Sequence, residues 1–479
     1  MSLRKVALAG MIWTFAQQMS SQSINFIISV VLARILMPAE FGIIGMIAVF
    51  VAIGTSLVNS GMTQSLIRTE NPDQDDYSTV FFFNLGVSIL IYGILFLTAP
   101  LIAEFYSQPI LTNVLRVYCL SFIFDALSAV QMARLTKAMN FKKQMQIALP
   151  SLLVGGTLGI ALAYSGFGVW SLVFMSICKS ILNSAQLWFH TGWRPSIIFR
   201  KAKFRQHFGF GYKLTLSGLL NTVFSNSYQI VIGRFFSPAQ VGFYTRASLL
   251  KQLPVDNISA ALSKVTYPLF ASIQNDDARL KRVYKQLMQM VIFAVAPVLL
   301  LMGVLAEPMF RFLFTEKWLP AVPYFQILCF NGILYPIHSY NLNVLKVKGR
   351  TDLFLRLEIV KKITLVLILS ITIPMGLIAM IWGQVVSSVI AFFINTHYSG
   401  TFMKYPATQQ AMDLIPIVLI AAMASGATWT LDYFILENSS DLIRLIAGVA
   451  FGGSFYLGTN YLLKTPTMNH YLSILKRKQ

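Results

Sequence analysis

Residues 33–42 read ARILMPAEFG and residues 233–242 read GRFFSPAQVG, one pattern repeated at an offset of 200 without a gap. Arg34 and Arg234, Pro38 and Pro238, Ala39 and Ala239, and Gly42 and Gly242 coincide, while Glu40 is answered by Gln240. Each copy lies between two long apolar stretches. The chain as a whole is 56% hydrophobic and only 12% charged over 479 residues, with a mean hydropathy of +0.65. Soluble domains carry roughly 25% charged residues, so a water-facing surface cannot be built from this composition. Lipid is the solvent that it fits.

A membrane helix needs about 20 mostly apolar residues. Spans are predicted at 8–32, 42–63, 79–103, 113–133, 147–165 and 168–189 in the first half. In the second they fall at 210–233, 241–265, 286–306, 322–345, 359–375, 377–396, 412–432 and 442–463. The expected fold is an all-α polytopic membrane protein of about fourteen helices. Six spans separate the two motif copies, and an even number preserves orientation, so the halves are expected as parallel repeats about an axis along the membrane normal. The domain reading is a six-helix lobe over 1–190, a basic linker over 191–208, a second six-helix lobe over 209–396, and two additional helices with a basic tail over 397–479.

The net charge of +20 is placed rather than diffuse. With the N-terminus inside, 29 of the 38 basic residues fall on the cytoplasmic side and 8 on the other. That asymmetry follows the positive-inside rule and argues for topology, not nucleic-acid binding. The opening MSLRK and the apolar run behind it lead into the polar stretch Gln17–Asn25 without a cleavage site, so the segment is expected as a first membrane helix. Cys119, Cys178 and Cys329 have neither disulfide nor metal-ligand spacing. The five histidines are scattered, no phosphate-cradling glycine loop occurs, and no cofactor is expected. Asp73-Gln74-Asp75 has a glycosyltransferase-like spacing but reads as a solvated acidic loop. No loop exceeds about twenty residues, too little for a glycan polymerase.

Two predicted helices are wrong for hydrocarbon. Thr14, Gln18, Ser21, Asn25 and Ser29 recur at helical steps, and Lys213, Ser217, Asn221 and Ser225 form the equivalent stripe in the seventh span. Such faces point at other helices as hydrogen-bonding glue or at a hydrated cavity. Their equivalence in the two repeats favours the cavity. Asp125, Lys179, Arg246, Lys251 and Asp256 lie within spans, where charges face a bundle interior or a water path. The basic members are candidate anion-binding residues; Asp125 and Asp256 are candidate coupling residues or structural ion-pair partners. His338 is read as a packing residue rather than a proton sensor.

The quoted motif, residues 242–284 (GFYTRASLLKQLPVDNISAALSKVTYPLFASIQNDDARLKRVY), residues 310–328 (FRFLFTEKWLPAVPYFQIL) and the Lys348-Gly349-Arg350 turn resemble the Wzx-type polysaccharide flippases of the multidrug/oligosaccharidyl-lipid/polysaccharide superfamily. The resemblance covers nearly the whole chain and is nearest the exopolysaccharide and lipopolysaccharide export branch. It implies two lobes, a V-shaped cavity, alternating access and a bacterial inner-membrane location. The implied cargo is an undecaprenyl-diphosphate-linked oligosaccharide, with a proton or sodium ion as coupling partner and polymerase and glycosyltransferases as protein partners. By position Arg34, Arg234, Arg246 and Lys251 match the cationic cavity residues of the family. Arg246 and Lys251, with Lys179, are the expected diphosphate ligands. Gln18, Asn25, Asn221 and Lys213 are expected on the polar walls. A cation-coupled drug exporter and a peptidoglycan-precursor flippase stay open as alternatives on the same fold.

Overall fold

In the computed structural model, which describes residues 3–59 and 61–476, regular structure is helical and no strand occurs among the described residues. The side chains at 3–9, 11, 59, 260–265 and 474–476 lie outside that description, and with them Arg4, Lys5, Lys264 and Lys476; Arg477 and Lys478 lie outside it altogether. The helices are α1 Leu3–Ile35, α2 Pro38–Asn59, α3 Met62–Arg68, α4 Gln74–Phe105, α5 Ile110–Tyr118, α6 Ser121–Lys137, α7 Phe141–Tyr164, α8 Val169–Thr191, α9 Lys201–Ser225 and α10 Ser227–Phe235. They continue as α11 Pro238–Ser272, α12 Asp277–Val304, α13 Ala306–Phe314, α14 Val322–Val347, α15 Thr351–Thr372, α16 Leu377–Met403, α17 Ala407–Phe434, α18 Asp441–Leu462 and α19 Pro466–Lys476.

Every predicted span falls on one of these helices or on a consecutive pair. Nine spans among the described residues are long and apolar enough to cross a membrane. The other five predicted spans coincide with α1, α9–α10, α11, α14 and α15. Among them α1 and α9 carry the polar stripes and α11 the buried Arg246 and Lys251, which lowers their hydropathy without shortening them.

The chain packs as two compact units, Met1–Gly242 and Phe243–Gln479. The first includes α9 and α10, which the sequence reading groups with the second half; α9 packs on α2, α3 and α4.

The repeated motif folds alike in both copies. Each arginine sits in the last turn of a helix, a two-residue break follows, and proline opens the next helix. Proline suits a first helical position because its missing N–H would have no partner there. Three residues past the break the side chain turns back: Glu40 Oε2 accepts the Met37 amide at 2.7 Å, and Gln240 Oε1 accepts the Ser237 amide at 3.0 Å. The Gln240 backbone amide donates in return to Ser237 Oγ at 3.3 Å, completing a capping box. The glycines explain why the motif ends as it does. A Cβ on Gly42 would lie 1.7 Å from the Pro238 carbonyl oxygen, and one on Gly242 would lie 2.0 Å from that of Pro38. Within the first unit the two copies therefore press against each other reciprocally, backbone on backbone.

The copies part company one helix earlier. α1 is continuous, whereas its counterpart breaks at Asn226 between α9 and α10. There Asn226 Nδ2 donates to the Thr222 carbonyl and Ser227 Oγ to that of Phe224, side chains competing for helical acceptors.

Candidate functional site

The first unit contains a cavity of about 250 Å³ in which α8 contributes Ser176, Lys179, Ser180 and Asn183, and α6 contributes Asp125. Thr55 of α2 and Tyr118 of α5 complete its polar wall. Its position follows from glycine on α7. In lipid, helices associate through close packing of small residues rather than by expelling water. A Cβ on Gly155 would stand 3.2 Å from Lys179 Cβ and 3.1 Å from the Met175 carbonyl oxygen, and one on Gly159 would stand 2.8 Å from Met175 Cβ. The backbone of α8 at Lys179 is thus seated on α7. Lys179 and Asp125 are both exposed. An exposed charge midway along an apolar helix cannot face hydrocarbon cheaply, so this concavity is a wet one. Lys179 and Asp125 appear in the sequence as isolated charges; the structure brings them into one cavity. Ser176, Ser180 and Asn183 were missed, although their three- and four-residue spacing on either side of Lys179 is the same stripe signal found in α1 and α9.

The stripes on α1 and α9 are also open. Gln18 and Asn25 are exposed, as are Lys213, Ser217, Asn221 and Ser225. Glue residues would be buried between helices, so this exposure favours the hydrated reading. Asn25 Nδ2 satisfies itself on the Ser21 carbonyl at 2.8 Å, which leaves its amide oxygen for another partner. Arg34 is exposed in the last turn of α1.

Three expected anion ligands are engaged otherwise. Arg234 donates to the Phe105 carbonyl at 2.7 Å and lies over the Phe105 ring, capping the C-terminal end of α4, where unpaired carbonyls attract cations. Arg246 is 5% exposed and stacks on Phe314 and Trp318, with ring centroids 5.2 and 5.3 Å away. The planar guanidinium suits such an aromatic site, and α11 turns it inward there. Lys251 is 7% exposed; its stem runs beside Gly332 of α14, and Nζ donates to Gln252 Oε1 at 3.1 Å. Gln252 in turn donates to Asp256 Oδ1 at 2.6 Å. The amide bridges the two charges, so Asp256 caps a polar group within its own helix. The expectation that Arg246 and Lys251 both open to a cavity is corrected for this structure: each is enclosed by its own unit.

The acidic loop is also not simply solvated. Asp73 caps α4 through reciprocal bonds with Asp76, and Lys203 of α9 bridges both carboxylates at 2.9 Å. The Asp76 amide and then Lys203 hold the Asp73 carboxyl down at about 2. The same two acids raise the Lys203 ammonium. Behind them, His207 is fully buried between Asp76 Oδ1 at 3.0 Å and Ser65 Oγ at 2.8 Å. Asp, His and Ser are in sequence reach of a hydrolytic triad, but closure on all sides makes this a clasp of α9 onto α3 and α4. Gln74 and Asp75 bind the 193–200 segment through Trp193, Arg194 and Arg200.

In the second unit, His338 Nε2 faces Ser388 Oγ at 3.0 Å and Nδ1 faces the Asn395 amide at 3.4 Å, a packing arrangement. A further cavity of about 590 Å³ opens where α17 and α18 meet α12 and α14. Apolar residues such as Leu299, Phe330 and Trp429 dominate it, with the buried Arg444–Asp432 pair, bonded at 2.8 and 2.7 Å, at its polar end.

Comparison with solved structures shows the same fold. The lipid II flippase MurJ in an inward closed conformation superposes with a TM-score of 0.71 at 13% identity, over 95% of this chain and 100% of that one. An inward-facing multidrug resistance MATE family transporter of the MOP superfamily gives 0.59 at 16% identity, over 80% and 96%. Among characterised sequences, the teichuronic acid biosynthesis protein TuaB of Bacillus subtilis is 26% identical over 95% of both chains. The succinoglycan biosynthesis transport protein ExoT of Rhizobium meliloti is 23% identical over 98% of this chain and 95% of its own. The lipopolysaccharide biosynthesis protein WzxC of Escherichia coli is 24% identical over 82% of each. Residues 31–323, from the first motif copy to the start of α14, match the polysaccharide biosynthesis protein family throughout. This multi-pass membrane chain, with its paired motif and its charged wet cavity, belongs to that family.

Proposed function

We propose that the protein is a transporter, not an enzyme, which moves an undecaprenyl-diphosphate-linked oligosaccharide from the cytoplasmic to the periplasmic leaflet of a bacterial inner membrane by alternating access. The observation that carries this reading is the open cavity holding Lys179 within the apolar helices of the first unit. A diphosphate and a glycan cross hydrocarbon only if water is replaced by cationic and amide partners. Lys179 is assigned the diphosphate, aided by Lys213 and Arg34. Gln18, Asn25, Asn221 and Asn183 are assigned sugar hydroxyls. The apolar cavity beside α17 and α18 has the lining that a prenyl chain requires. The named relatives are proteins of teichuronic acid, succinoglycan and lipopolysaccharide biosynthesis, which supports this cargo class.

Deletion of the gene tests it. Accumulation of one lipid-linked oligosaccharide in the inner leaflet, with loss of surface polysaccharide, is the expected result. Lysis on depletion would instead indicate the peptidoglycan precursor as cargo. Asp125 in the same cavity supports a second reading, cation-coupled export of drugs, which ion-dependent efflux of dyes from vesicles would establish. The topology proposed is fourteen crossings with both termini cytoplasmic. Reporter fusions at Gln108 and Ser439 should read periplasmic and one at Phe199 cytoplasmic.

A further inference from the structure

α12 changes character along its length. Its first turns carry Arg279, Lys281, Arg282, Lys285, Gln286 and Gln289, and from Met290 onward it is apolar. A helix crossing from headgroups into hydrocarbon has this profile. α19 lies against the changeover: Tyr471 OH donates to the Met290 carbonyl at 3.2 Å, and its ring packs on Phe293 with centroids 5.3 Å apart. The two helices leave between them a cavity of about 280 Å³, lined by Arg282, Lys285, Gln286, Gln289, Thr467 and His470 together with the apolar Met290 and Pro466.

The lining residues include several donors and no acid, on a surface that is otherwise mostly apolar. Asp413 is the acid in reach, and Lys285 already occupies it at 2.7 Å. Arg282 has no ion-pair partner among the described residues and is exposed to the cavity. A guanidinium beside amides, a hydroxyl and an imidazole is an acceptor-seeking site for a phosphate oxygen. Its depth decides what carries the phosphate. The donors of α12 stand just before its apolar stretch, which begins at the lining residue Met290, an arrangement that suits a phosphodiester with acyl chains leading away into the bilayer. Basic pockets between membrane helices on the cytoplasmic side are where anionic headgroups settle. A volume of about 280 Å³ has room for a small headgroup.

We infer that the cleft between α12 and α19 binds the phosphate of an anionic phospholipid in the leaflet on the basic side, fastening the C-terminal helix to the membrane surface. The site is separate from the transport cavity of the first unit and does not depend on the identity of the cargo.

The test uses the full-length protein in detergent, titrated with phosphatidylglycerol or phosphatidylcholine and read by native mass spectrometry. Phosphatidylglycerol should be retained in preference. Arg282→Gln should lower its occupancy about fivefold, the effect of one basic contact, with Arg282→Lys recovering part of it and Lys201→Gln leaving it unchanged. Inorganic phosphate at millimolar concentration should not displace the lipid. Equal retention of the two lipids, or an unaffected Arg282→Gln protein, would overturn the inference. Displacement by inorganic phosphate would make the cleft a free-anion site and overturn it as well. Should Arg282→Gln lower the thermal midpoint of the protein, His470→Gln, outside every ion pair named here, carries the same comparison.

Discussion

The first unit holds both copies of one local design, and the two compact units spend their charges differently. Arg34 and Arg234 close one helix, Pro38 and Pro238 open the next, and Glu40 and Gln240 cap it, all in the same register. Away from that motif the first unit leaves Lys179 and Asp125 open in a polar cavity, while the second encloses Arg246 between aromatic rings and ties Lys251 to Gln252. A cation intended for a ligand must remain desolvation-ready and unspent; one that is already buried costs several kcal/mol to uncover or to lose. The comparison teaches that intramembrane charge alone does not identify a binding residue. Access does.

The largest effect should come from breaking the symmetric contact itself. Gly42→Val and Gly242→Val each drive a side chain into a proline carbonyl 1.7 or 2.0 Å from the added Cβ. Backbone on both sides leaves nothing cheap to move, and folded protein recovered from membranes should fall below about a tenth of wild type for either change. Normal recovery of one but not the other would show that the copies are not mechanically equivalent.

Next comes a contrast between two lysines. Lys179→Met should reduce surface polysaccharide about tenfold or more at unchanged protein level, with Lys179→Arg retaining more, because a charge in contact with the cargo is lost. Lys251→Met should instead lower the amount or thermal midpoint of the protein, since it strands Gln252 and Asp256. Normal export per molecule in Lys179→Met, or a selective export defect in Lys251→Met, would reverse the assignment of roles.

A smaller effect belongs to the first unit's clasp. Removing the cap in Asp73→Ala should cost about 1 kcal/mol at neutral pH. The folded carboxyl sits at about 2, below the ordinary 3.8, so this contribution is full above 3.8 and is lost as the pH falls through about 2. Thermal unfolding of wild type and Asp73→Ala in detergent should therefore differ at pH 7 and converge towards pH 2. Convergence at high pH instead would contradict the sign.

The smallest effect concerns the one difference in charge between the motif copies. Glu40→Gln removes a charge from a helix N-terminus and should cost a few tenths of a kcal/mol, whereas Gln240→Glu should gain a similar amount. If Glu40→Gln abolished transport at unchanged stability, the carboxylate would have a role beyond capping.

Composition, span positions, the positive-inside pattern and the repeat were legible in the chain alone because each rests on local quantities. About twenty apolar residues make a span wherever they occur, and Pro followed two residues later by Glu or Gln caps a helix without outside help. The cavity-lining serines on α8 carried the same spacing signal and were nonetheless missed. What tertiary structure alone decided is the state of each charge. Lys179 opens because Gly155 on a different helix lets its backbone sink; Arg246 closes because Phe314 and Trp318, some seventy residues away, arrive over it. His207 meets Asp76 and Ser65 across more than a hundred residues. Burial is set by neighbours that the fold brings from elsewhere, and no periodicity along one helix encodes which neighbours those are.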